Sequence, residues 1–127
     1  MIYNGGDEYK IKFYKNPKTN KEPVRIYIES LPNKEGAKIA KYVELLRVCE
    51  GYLDEPLSKH IDGKIRELIV DFAKNHHRIF YFTFIKRNII LLHAFLKKTP
   101  QTPPREIKKA KENYYSAINN PKIYEKD

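Results

Sequence analysis

Apolar positions along the chain fall into two periods. Residues 9–15 alternate, with Tyr9, Ile11 and Phe13 on one side and Lys10 and Lys12 on the other, which predicts a half-buried strand. The cluster Asn16-Pro17-Lys18-Thr19-Asn20 ends it as a turn. Residues 24–30 read as a short helix with Pro23 at its start, although their β-branched members also suit a strand. Leu31 is a boundary, because Pro32 disfavours helical geometry in the residue before it. Residues 33–50 have the helical period: Ile39, Tyr42, Val43, Leu46 and Cys49 share one face, while Lys38, Lys41, Glu44 and Arg47 point elsewhere. Asn33 is placed to cap this helix and Gly51 to end it. Cys49, on the apolar stripe, reads as a small core hydrophobe rather than a catalytic thiol.

Residues 52–62 read as an irregular connection around Pro56, followed by strand-like runs at 64–72, 76–85 and 88–96. The polar turn Lys86-Arg87-Asn88 joins the last two, and close spacing makes the three an antiparallel meander. The final run is apolar on both faces, as a central strand should be. Residues 99–104 form a Pro-Thr hinge in which Thr102 can cap a last helix, with Pro103 in its first turn. Ile107, Ala110, Tyr114, Ala117 and Ile118 mark that helix's inner face. The expected fold is α+β, in the order β-α-α-β-β-β-α, as one antiparallel sheet with helices packed on one face. With 127 residues, the whole chain 1–127 is expected to be a single domain.

Charge changes the picture. Residues 1–63 carry 11 basic and 10 acidic side chains, whereas residues 64–127 carry 14 and 6, so nearly all of the formal +9 lies in the second half. A field this one-sided favours a polyanionic partner: nucleic acid, an acidic protein or an anionic membrane surface. No run approaches the length of a membrane span, and the N-terminal residues lack a basic segment followed by an apolar one, so a soluble cytoplasmic protein is expected. A single cysteine excludes a disulfide framework.

The candidate chemistry is narrow. His60, His76, His77 and His93 show no metal-ligand spacing, and adjacent His76 and His77 on a strand point to opposite faces, so no metal is expected. There is no glycine-rich phosphate loop, and no cofactor is expected. What remains is basic and aromatic: His77-Arg78-Ile79-Phe80-Tyr81-Phe82 on one strand and Phe95-Leu96-Lys97-Lys98 closing the next. Counting outward from the connecting turn puts Arg78 and residues 95–98 at the same end of the sheet. Such a cluster suits a phosphodiester with unpaired bases. Periodicity alone is equally compatible with core aromatics and solvated lysines.

At these residues the chain resembles the HigB branch of the RelE/ParE-like toxins, including its phage-derived members. The resemblance rests on Ile61-Asp62-Gly63-Lys64-Ile65-Arg66-Glu67-Leu68, on residues 77–82, and on the more specific Leu91-Leu92-His93-Ala94-Phe95-Leu96-Lys97-Lys98-Thr99. It extends over roughly residues 9–118. It implies a RelE-like fold and the toxin of a type II toxin–antitoxin system, a metal-independent endoribonuclease cutting mRNA in the ribosomal A site. It also implies a HigA-type helix-turn-helix antitoxin that brings the pair to operator DNA, expected as a dimer of heterodimers. The other expectation is a non-catalytic RNA-binding or regulatory module on the same fold. By resemblance, Arg78 holds the scissile phosphate, and Lys97 and Lys98 stabilise the phosphorane or donate to the leaving group. His77 stands where relatives carry an aromatic, as a core residue or an acid/base group. Lys64, Arg66, Arg87 and Lys108 are expected to contact ribosomal RNA. Relatives often have Glu-Leu-Arg where this chain has Glu67-Leu68-Ile69, so one basic residue is missing from the expected active face.

Overall fold

A computed structural model describes residues 8–126; the N-terminal run read above for a secretory signal lies almost entirely outside them. The elements are β1 (Lys10–Phe13), α1 (Pro23–Glu29), α2 (Asn33–Val48), β2 (Ser58–Asp62), β3 (Ile65–Phe72), β4 (Asn75–Phe84), β5 (Asn88–Leu96) and α3 (Pro104–Asn119). The α+β class and the order of the expected elements stand, with one strand added. The five strands lie in the order β1-β5-β4-β3-β2.

The sheet is mixed rather than wholly antiparallel. β2 to β5 form the expected meander, but β1 pairs with β5 in parallel, Lys10 opposite Asn88 and Phe13 opposite Leu91. The reason is topological: α1 and α2 carry the chain from the β1 edge to the opposite edge, and the meander returns to β1 with its last strand pointing the same way. β2, read from sequence as irregular, is a short edge strand. Its Ser-Lys-His-Ile-Asp sequence buries only Ser58 fully, and edge strands are commonly short and polar. Gly63, with φ of +54°, takes the left-handed turn between β2 and β3.

Side-chain parity divides the core. Ile79, Tyr81, Ile89 and Leu91 face Val24 of α1 and Ile39, Val43 and Leu46 of α2. Phe80, Phe82, Ile90 and Leu92 face Ala110 and Ala117 of α3 and Tyr124 beyond it. The helical layer expected on one face is thus made by α1 and α2, while α3 covers the other face. Strands apolar on both faces need this second cover, since each large apolar side chain is worth about 1.5–3 kcal/mol when buried. A bulge in β5 adjusts the register: Phe80 pairs with His93 but Tyr81 with Leu91. Buried Asn113 of α3 donates through Nδ2 to the carbonyl of Leu92 at that bulge, 2.8 Å away.

Three local expectations shift. Cys49 is exposed, because α2 ends at Val48 and Cys49 is its C-cap, off the helical spacing that would carry it inward. Asn33 is the first helical residue rather than the cap, which falls at Pro32, and no side chain caps α2. Likewise α3 begins at Pro104 with Pro103 at the cap, and Thr102 instead approaches Glu67 Oε2 at 3.4 Å.

Candidate active site

Register assembles one end of the sheet. Arg78 lies opposite Phe95 and His77 opposite Leu96, so the end of β5 delivers Lys97 and Lys98 beside the start of β4. The Lys97 amide donates to the His76 carbonyl at 2.8 Å, holding this pair of segments together one step beyond the strand. On the other side, Asp71 of β3 faces His76 across the hairpin. The result is an open groove of about 570 Å³ lined by Asp71, Lys74, His76, Arg78, Lys97 and Lys98, together with Asn75, Leu96, Thr99 and Pro100.

Arg78 is largely covered, its side chain 11% exposed. Nη1 donates to Asp71 Oδ1 and to its neighbour's carbonyl, His77 O, each at 2.9 Å, and Nε stands 4.0 Å from Glu67 Oε1. The same Asp71 Oδ1 is 3.0 Å from His76 Nδ1. Burial pushes the Asp71 carboxyl up, but hydrogen bonds and charge from Arg78 and His76 outweigh it and hold it below the usual carboxylate range. Asp71 is therefore an anion that fixes two neighbours. Lys74, Lys97 and Lys98 have no carboxylate partner among the described residues.

The expected site residues separate. Arg78, Lys97 and Lys98 meet in the groove. His77 does not: opposite parity turns it into the α1–α2 side, where it is 1% exposed, bonded through Nδ1 to Tyr27 OH at 2.7 Å and through Nε2 to Glu35. Asn75 Nδ2 also donates to that Glu35 carboxylate, at 3.0 Å. Arg66 shares this face. It stacks on Tyr52 with its guanidinium carbon 4.6 Å from the ring centroid, and donates to Leu53 O at 3.2 Å. Lys64 and Arg87 are exposed in the turns at the opposite end of the sheet. Lys108 is exposed on α3. It lies two residues past Glu106, which binds His93 Nε2 at 2.7 Å and ties the first turn of α3 to β5.

Sequence reasoning passed over His76, Asp71 and Lys74. Strand period alone would have found the first two: stepping two residues back from Arg78 gives His76, and the hairpin register puts Asp71 opposite it. Among the described residues no cluster of three or more potential metal ligands forms, and no helix is long and apolar enough to cross a membrane. Compared with known families, residues 26–115 match the profile described as phage-derived protein Gp49-like (DUF891). A comparison with curated proteins finds no match.

Proposed function

Because the chain belongs to the phage-derived Gp49-like family, a RelE/ParE-like family of toxin–antitoxin systems, we propose that it is a toxin acting as a metal-independent endoribonuclease on mRNA in the ribosomal A site. The observation that carries this reading is the convergence of Arg78, Lys97 and Lys98 on one groove. Attack of a ribose 2′-hydroxyl on the adjacent phosphorus builds negative charge on the phosphoryl oxygens and on the departing 5′-oxygen. Arg78, held rigid, binds the phosphate; Lys97 and Lys98 stabilise the phosphorane, and one of them protonates the leaving oxygen. Lys64, Arg87 and Lys108 are left for more distant RNA contacts. Arg66, engaged with Tyr52 and Leu53, is a weaker candidate for that role.

In this reading the protein is of the HigB kind and works in the cytoplasm, where the ribosome is. A HigA-type helix-turn-helix antitoxin silences it and carries the pair to operator DNA as a dimer of heterodimers. A non-catalytic RNA-binding module is the second reading, favoured by Ile69, which brings no charge to its place directly opposite Arg78. Expression without antitoxin decides between them. The nuclease arrests growth and leaves cuts within translated messages, and Arg78→Ala abolishes both while the protein still melts cooperatively. Soluble wild-type protein with intact transcripts would sink the nuclease reading; tight, salt-sensitive RNA binding without products would establish the alternative.

A further inference from the structure

We propose, resting on the nuclease reading above, that His76 is the general base that takes the 2′-hydroxyl proton and that Asp71 is its positioning residue. Four imidazoles are available, and three are committed elsewhere. His77 is buried between Tyr27 and Glu35. His93 is bound to Glu106 and stacked with Phe80 and Phe95 at centroid distances of 6.3 and 5.9 Å. His60 binds its own turn at Gly63 O, 2.8 Å away, on the β2 edge. His76 alone lines the groove. Its side chain is 50% exposed, so RNA can reach it.

The geometry fixes the tautomer. Asp71 Oδ1 accepts a hydrogen bond from His76 Nδ1–H at 3.0 Å, which leaves the Nε2 lone pair for substrate. The other groups facing His76 suit no base. Asp71 is committed to two cationic or donor partners, and Lys74, Arg78, Lys97 and Lys98 are cations at neutral pH. In the step, Nε2 takes the 2′-hydroxyl proton as the 2′-oxygen bonds to phosphorus. The bond from phosphorus to the 5′-oxygen breaks, and that oxygen takes a proton from Lys97 or Lys98. The products are a 2′,3′-cyclic phosphate and a 5′-hydroxyl, with one proton moved to imidazole and one lost from lysine. Arg78 spends only Nη1 on Asp71, so its remaining N–H groups can meet a phosphate while Asp71 keeps its hold on His76.

The test is single-turnover cleavage of mRNA on programmed ribosomes. His76→Gln is expected to slow cleavage by about 10²- to 10⁴-fold and to remove an acidic limb of the pH profile that rises tenfold per pH unit in the wild type. Ribosome affinity and melting temperature stay unchanged. In His76→Gly, added imidazole restores part of the rate, which a merely structural role would not allow. Asp71→Asn slows the step less than His76→Gln. If the wild type cuts but His76→Gln cuts equally fast with the same pH profile, the assignment of the base is overturned and the nuclease reading stands. If the wild type leaves the message intact, the nuclease reading falls and takes this inference with it.

Discussion

Replacing His77 by alanine should damage the fold and spare the chemistry, the reverse of its neighbour. His77 is 1% exposed and sits between the Tyr27 hydroxyl and the Glu35 carboxylate, joining α1, α2 and β4. Removing the imidazole leaves Glu35, itself 5% exposed, with Asn75 Nδ2 as its remaining hydrogen-bond donor. Breaking a buried pair by deleting one partner costs about 3–5 kcal/mol. The surviving Asn75 bond places this case near the lower end, at about 3 kcal/mol. For a domain of this length such a loss lowers the melting temperature by roughly 10 °C. Thermal and urea unfolding followed by circular dichroism would measure it, with a lower midpoint and an unchanged urea slope. Cleavage per folded molecule should remain near wild type below the transition. A His77→Ala protein that melts within about 2 °C of wild type would refute the reasoning. If it also lost cleavage, His77 would be the acid/base group that its place before Arg78 made it a candidate for.

Two further outcomes follow from buried polar contacts. Asn113→Ala removes the donor to the Leu92 carbonyl at the β5 bulge, and should cost about 1–3 kcal/mol in urea unfolding; an unchanged midpoint would show that the bulge carbonyl finds another partner. Burial, reinforced by the Glu35 charge, pushes the Tyr27 phenol up to about 12. The unfolded chain loses this proton near pH 10 while the folded chain keeps it, so the stability it contributes is complete below pH 10 and is lost as pH rises toward about 12. Unfolding across that window should be less pH-dependent in Tyr27→Phe, and identical slopes in the two proteins would contradict the assignment.

Strong periodicity made most of the fold legible. β5 has its expected bounds, and α1, α2, β3 and β4 lie within a residue or two of theirs. β2 was hidden because a short polar edge strand has little apolar alternation to read. The parallel pairing of β1 was hidden because direction depends on where the crossover helices deliver the chain, which no local pattern records. Helices on both faces were implied by the doubly apolar β4 and β5, but that inference needs the two parities to be counted separately. The candidate site was legible only as a meeting of cations: Arg78, Lys97 and Lys98 line one groove, as the hairpin register requires. Its anions were not, since Asp71 and Glu67 look like solvated acids until the pairing of β3 with β4 places them around Arg78.

That placement explains what Ile69 does in this chain. On the α3 face of β3, successive outward positions are Glu67, Ile69 and Asp71, and Ile69 is directly opposite Arg78. A basic residue at 69 would sit between the two acids and share them. With isoleucine there, both carboxylates turn to the one guanidinium, Asp71 at 2.9 Å and Glu67 at 4.0 Å. Glu67 is fully buried, and its Oε1 has no hydrogen-bond partner, so only the charges of Arg78 and of Lys59, 3.8 Å away, compensate it. Cation and anion thus alternate diagonally from Lys59 through Glu67 and Arg78 to Asp71, which also accepts the hydrogen bond from His76. Each member is held by the next, so the arginine is rigid before any phosphate arrives. Preorganisation of this kind removes reorganisation from the reaction step. The missing basic residue therefore costs the groove one charge while leaving its central cation fixed more firmly by the acids on either side.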